Sequence, residues 1–277
     1  MYYLWLGLGF HGSFKLPLKK SMFLLPLLAV MFAGCSNDTE NDGLNGKASV
    51  MLNLSSDLSY SRAFNESEYK NTANYQVEFV KTETSDVLYS GKYSDMPLEP
   101  YKVDPGVSYT VTASYGEDVA AGYDKLYVKE TQTFAVAEGD RKTVKLVCKP
   151  ANARLKLAYS DDYTNFYSDC KVAVKTSFMN EPWEMGIADK GKELFMKTGD
   201  KGTKAVLSFT IYDLDGKQVE VDKDLSQELS LNPRDSYTLT VQPELNEIAG
   251  GKIGINVTIN SEVTEEDITI QLPGELL

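Results

Sequence analysis

The sequence holds one histidine, two tryptophans and three cysteines in 277 residues. Each scarcity narrows what the chain can do. The one histidine, His11, lies near the N-terminus, ahead of everything that reads as a folded domain. Without it the chain can build neither a Ser-His-Asp nor a Cys-His catalytic arrangement. It also lacks a histidine ligand for zinc, and its thiols are too few for a four-cysteine site. No glycine-rich phosphate loop follows a strand-like run, so nucleotide binding has no support. Positive charge is short as well. Lys+Arg 28 stand against Asp+Glu 40, and the net charge of −12 repels nucleic-acid phosphates. No apolar run reaches the roughly 20 residues of a membrane-spanning helix. What is present is 42% hydrophobic and 25% charged, a globular mix rather than a disordered or disulfide-dense one. No cofactor is expected.

The N-terminal segment reads as an address. Lys15, Lys19 and Lys20 precede the apolar run Met22 to Ala33, and small residues follow it. A basic region, a short apolar core and small residues make a secretory signal. Phe32-Ala33-Gly34-Cys35 resembles the lipobox of bacterial lipoproteins, with Phe32 where leucine is usual. Cys35 is then the lipidated first residue of the mature chain; the plainer alternative is a secreted protein with Cys35 as an ordinary thiol. Each buried acyl CH₂ contributes roughly 0.8 kcal/mol, so several chains on one cysteine anchor firmly. Ser36 to Asp42 is polar and acidic and cannot pack a core, which suits a tether. An acidic patch there is similar to the surface-export signal of Bacteroidetes lipoproteins. Removing residues 1–34 takes away three lysines, no acid and His11. Tyr2 to Phe10 is an apolar run that a signal does not need, and the expectation is a true start further on, near Leu18.

From Lys47 onward the pattern has a period of two. Ala48, Val50, Leu52 and Leu54 share one parity. Tyr75, Val77 and Phe79 repeat it, and Val107, Tyr109, Val111, Ala113 and Tyr115 show it most clearly. Phe134 and Val136 follow, then Val144, Leu146 and Cys148. Such runs bury one face of a sheet and wet the other. Pro97, Pro100, Pro105-Gly106 and Gly139-Asp140 punctuate them, and short strands at this spacing predict a sandwich or barrel. Pro150 cannot donate to a ladder, so Lys149 to Asn152 is the expected boundary. The pattern restarts with Ala153, Leu155, Leu157 and Tyr159. Asp161 to Tyr167 reads as a helical turn. Val172 and Val174 make a strand, Leu194 and Met196 a weak one. Ala205 to Ile211 runs into Asp215-Gly216 and then Val219 and Val221, a hairpin signal. Tyr237 to Val241, Ile253 to Ile259 and Ile268 to Leu272 close the chain. The expected organisation is a signal peptide at 1–34, an acidic tether at 35–46, and all-β domains at 47–149 and 150–277.

The stretch from Phe134 through Val144-Lys145-Leu146-Val147-Cys148-Lys149-Pro150-Ala151-Asn152 to Phe166 and Val172 resembles a family of Bacteroidetes lipoproteins of unknown function. That family is similar in layout to the fimbrillin and fimbrial-anchor proteins of the same bacteria. The resemblance implies two tandem transthyretin-like (Ig-like) antiparallel β-sandwiches, a lipid anchor in the outer membrane, surface exposure, and a fimbrial or adhesin-like role. It implies fimbrial subunits or a host or glycan ligand as partners. It also draws attention to Ser61-Arg62-Ala63. Fimbrillin-like precursors are cut after an arginine that follows the first strand, and Arg62 holds the matching place after Ala48 to Leu54. The alternative is that Arg62 is an ordinary charged loop residue.

Four further features carry alternatives. Cys148 and Cys170 fall on inward parities; an oxidising compartment could join them, or both stay free and act as small buried hydrophobes. Trp183, in the loop-like Glu181-Pro182-Trp183, could form a glycan-stacking platform with Tyr163 and Tyr167, or these rings could fill the sandwich core. Asp213, Asp215 and Gly216 hint at a calcium loop, but the glycine comes too early and a hairpin turn fits better. Asp161-Asp162 and Glu265-Glu266-Asp267 are neighbours along the chain, so they do not face each other across a substrate as glycosidase carboxylates must. The sequence therefore predicts a non-enzymatic surface lipoprotein working through sheet edges, with glycan binding as the alternative and no metal.

Overall fold

Alternation turns into strand along the chain, and the pairing shows which face each run buries. The computed structural model describes residues 46–58, 67–219, 226–244, 254–261 and 268–272. All lie in one compact unit, Gly43–Leu277. The expected signal peptide, Cys35 and Arg62 fall outside the described residues, as do Val221 and Glu265 to Asp267.

The first half contributes β1 (Ala48–Ser56), β2 (Gln76–Lys81), β3 (Val87–Lys92), β4 (Tyr101–Val103), β5 (Ser108–Gly116), β6 (Ala121–Tyr123), β7 (Tyr127–Ala135) and β8 (Arg141–Pro150). Seven of them pair in the order β3-β2-β5-β7-β8-β1-β4. Strand β8 is the pivot. It runs parallel to β1 until Cys148, then pairs with β7 at Lys149 and Pro150. Two layers result, and their inner faces share one core. Val77, Phe79, Tyr109 and Val111 enter it from one side; Ala48, Val50, Val144 and Leu146 enter from the other.

The second half contributes β9 (Asn152–Tyr159), β10 (Asp169–Thr176), β11 (Trp183–Met185), β12 (Glu193–Lys197), β13 (Thr203–Tyr212), β14 (Gln227–Leu231), β15 (Ser236–Glu244), β16 (Gly254–Ser261) and β17 (Ile268–Leu272). A four-stranded sheet, β11-β10-β13-β14, and a six-stranded one, β17-β16-β15-β9-β12-β6, enclose a second core. Strand β6 comes from the first half, yet it pairs with β12 of the second. Strand β12 sends Leu194 and Met196 into the second core and Phe195 into the first. The sequence marks it as weak because every residue from Glu193 to Met196 is buried, which erases the alternation.

Among the described residues helix is confined to single turns. The expected turn in Asp161 to Tyr167 appears as the 3-10 segment Tyr163–Asn165. Among the described residues no helix is long and apolar enough to cross a membrane. The Asp-Gly signal after β13 is a turn. Gly216 N–H donates to the Asp213 carbonyl at 3.0 Å, and Lys217 N–H donates to Asp213 Oδ1 at 2.8 Å. Gly216 has φ +76, where a side chain is disfavoured. The Asp213 carboxylate thus holds the turn.

Candidate sheet-edge site

A β-protein meets partners at faces or at edges, and an open edge is a row of unpaired backbone groups. Most edges here are blunted. Strands β4, β6 and β11 have three residues each. Strand β3 is bent by a register shift at Phe79/Val80. Its Tyr89 hydroxyl folds over Gly91 and donates to the Lys92 carbonyl. Strand β1 differs. It has nine residues, but β4 pairs only with Ala48, Ser49 and Val50. Ser49 N–H and Asp57 N–H donate to Asp140 and Cys148, on the β8 side. By strand alternation, Leu52, Leu54 and Ser56 therefore turn their backbone to the side where β4 has ended.

One side chain stands at that edge. Leu54 N–H donates to the Tyr93 hydroxyl at 3.4 Å, and the same hydroxyl donates to the Leu52 carbonyl at 3.2 Å. Tyr93 thus occupies one position of a strand partner with a single oxygen, at long distances. It opens the 3-10 turn Tyr93–Asp95, and its own N–H donates to the Tyr75 carbonyl at 2.8 Å. Beyond the turn, Pro97 and Pro100 bracket Leu98 and keep that loop from becoming strand. Leu98 is 95% exposed, and Met51 is exposed beside it.

Between this loop and β1 lies a groove of about 420 Å³, lined by Leu52, Met96, Leu98 and Tyr101 with the polar Ser94 and Glu99 among them. The Tyr101 hydroxyl in its wall is buried and has no hydrogen-bond partner among the described residues. Burial, the largest cause, raises the Tyr101 pKa, so this hydroxyl stays a neutral donor. Opposite charges fasten the mouth of the β1–β4 pair. Lys47 and Lys81 both hold Asp104, with Lys81 Nζ at 3.2 Å, and hydrogen bonding to Lys47 leads in lowering the Asp104 pKa. A mainly apolar lining beside a backbone edge suits an extended segment.

The structure disperses the other predicted site residues. Cys148 and Cys170 form no disulfide. Both are free thiols, Cys148 in the first core and Cys170 in the second. Cys148 Sγ donates to the Ala113 carbonyl at 3.5 Å. Burial pushes both thiols up to about 12, so both stay protonated. The platform of Trp183, Tyr163 and Tyr167 is not assembled. Tyr163 and Tyr167 are buried in the second core at 0% and 5% exposure, in a file of tilted rings with Tyr159. Trp183 lies on β11, not in a loop, and meets Tyr123 edge-on with centroids 5.3 Å apart. Among the described residues no cluster of His, Cys, Asp and Glu could hold a metal. Tyr93, Leu98 and Tyr101 escape sequence reading because an edge hydroxyl needs the pairing register to be recognised. The proline bracket around Leu98 is the one signal that could have pointed there.

The fold is all-β with several sheets, and the candidate site is a strand edge beside a mainly apolar groove. The chain belongs to the family described as a domain of unknown function, DUF4493, which matches residues 49–274. No curated protein matches it. Solved structures resemble it at low identity. The fimbrial anchor protein Mfa2 from Porphyromonas gingivalis is 10% identical, with 82% of this chain and 100% of that chain covered and a TM-score of 0.41. A candidate cell adhesion protein from Bacteroides eggerthii is 12% identical over 81% of this chain and 97% of its own, with a TM-score of 0.40. A candidate polysaccharide-binding protein from Bacteroides thetaiotaomicron is 12% identical over 80% and 98%, with a TM-score of 0.39. Likeness at this level carries no argument about ligand or partner.

Proposed function

We propose that this chain is a lipid-anchored protein of the outer surface, a fimbrial or adhesin-like structural component that does no bond-making chemistry. In this reading Cys35 carries the lipid, residues 35–46 are the tether, and residues 47–149 and 150–277 are tandem sandwich domains. Contacts with a partner run through the stretch of β1 beyond β4 and its groove. The observation that carries the reading is the edge of Leu52 and Leu54, capped by one tyrosine hydroxyl beside a mainly apolar groove. The glycan reading has lost its platform, since two of its three rings are buried.

A photo-crosslinking residue at Leu98, on intact cells, tests it. The expected result is a discrete covalent adduct with another envelope protein or a second copy, lost in a control carrying the crosslinker at the exposed Leu214. Adducts identical at both positions, or none, overturn the groove as the contact surface. Recovery of the chain from the cytosol overturns the surface reading as a whole.

A further inference from the structure

The groove does not explain why the chain diverts β6 out of its own half. Strands β5 and β7 both belong to the seven-stranded sheet, and a short turn could join them. Instead the chain between them reaches across and adds to β12, with Tyr123 opposite Leu194, Gly122 opposite Phe195 and Ala121 opposite Met196. The ladder continues on either side. Lys197 N–H donates to the Ala120 carbonyl at 3.0 Å, and Asp124 N–H donates to the Glu193 carbonyl at 3.2 Å. Lys197 pairs with Asp118 at 2.8 Å. The Tyr123 ring meets Trp183 of the four-stranded sheet, and Lys192 lies over it at 5.2 Å. One three-residue strand therefore touches both sheets of the other half.

The receiving strand is built for the same purpose. Phe195 and Arg154 are register partners, so they share the face of the six-stranded sheet turned away from the second core. Phe195 packs into the first core at 1% exposure. Arg154, 2% exposed, donates to Glu193 Oε1 at 2.9 Å and to Ser236 Oγ at 3.0 and 2.6 Å. Further bonds cross nearby. Ala151 N–H reaches the Tyr127 carbonyl at 2.9 Å, and Asn152 Nδ2 reaches the Lys125 carbonyl at 2.9 Å.

We propose that β6 is a latch that welds the two cores into one cooperative unit, so that neither half opens before the other. A surface protein held at one end and pulled at the other would then yield only when both cores yield. Breaking the latch uncouples them.

Nature has placed a reporter in each core. Cys148 and Cys170 are buried free thiols that react only when their own core opens. The full chain is pulse-labelled with a thiol reagent across a urea series, and each cysteine is read by peptide mass spectrometry. Coincident labelling midpoints for Cys148 and Cys170 are expected. Gly122→Pro is expected to separate them, because residue 122 sits between the two bonded positions and proline removes a ladder donor there. Should that variant fail to fold, Tyr123→Ala, which removes the side-chain contacts and keeps the backbone ladder, is expected to separate them less. Midpoints already apart in the unaltered chain overturn the proposal. Coincident midpoints that persist in the folded variant overturn the role of β6.

Discussion

Arg154 is among the largest side chains buried in this protein, and it is charged. Its pairing with Glu193 does not by itself argue for stability, because desolvating two charges costs about as much as their attraction returns. Removing one partner is different. Arg154→Ala leaves Glu193 buried without its cation and is expected to lose about 3–5 kcal/mol in urea unfolding. Replacing both, with Arg154→Met and Glu193→Leu, is expected to come out within about 2 kcal/mol of the parent, since apolar side chains of similar volume need no partner. A parent-like Arg154→Ala would mean that the pair is solvated. The two thiols make a second test at this scale. Native protein is expected to show no reaction at Cys148 or Cys170 with a thiol reagent, and reductant is expected to leave its melting temperature unchanged. Their inward parity was legible in the sequence. That they lie in different cores was not, because parity says which face a residue takes and nothing about which sheet stands opposite.

At the scale of elements, the strands read best from sequence are those with one wet face. Tyr109, Val111 and Ala113 alternate cleanly because the other face of β5 meets solvent, where Thr110 and Thr112 bond to threonines of β7. The strands that escaped reading are three-residue β4, β6 and β11, too short to show any period, together with β3 and β14. Two predictions belong here. Gly116 ends β5 with φ +96, and a Cβ there would stand 2.1 Å from the Leu126 carbonyl oxygen. Gly116→Ala is therefore expected to cost more than about 1 kcal/mol in thermal or urea unfolding. Asp104 ties β4 to Lys47 and Lys81, and its pKa is held below the usual carboxylate range. Its stabilisation is present above the unfolded-state pKa and is lost as pH falls through the lower folded value. Asp104→Asn is expected to lower the urea midpoint at pH 7, with the gap from the parent closing below about pH 4. A gap that stays constant with pH would show that the ion pairs contribute nothing.

For the molecule as a whole, the prediction concerns place and contact. Cys35→Ser is expected to move the protein from the membrane fraction to the soluble one, read by cell fractionation and immunoblotting. Leu98→Ala touches no core and is expected to change unfolding by less than about 0.5 kcal/mol while weakening capture of the crosslinked partner. Loss of folding in that variant would place Leu98 inside the structure's own packing, against its exposure. The tyrosines show how far sequence reading carries at this scale. Tyr163 and Tyr167 were candidates for a surface platform by composition and nearness along the chain. In the fold they are buried beside Tyr159, whose hydroxyl donates to the Cys170 carbonyl at 2.7 Å.

The sequence alone determined that the chain is built of strands, that its pattern restarts after Pro150, that it carries an acid excess, and that its one histidine stands near the N-terminus. These are local or additive properties, carried by periods of two residues and by composition. Only the tertiary structure decided that β4 stops short and leaves Tyr93 as the cap on β1, that β6 crosses to the other half, and that Arg154 finds Glu193 and Ser236. Each of these depends on pairing between residues far apart in the chain, and strand register between such residues is set by how whole faces pack rather than by any short run of sequence.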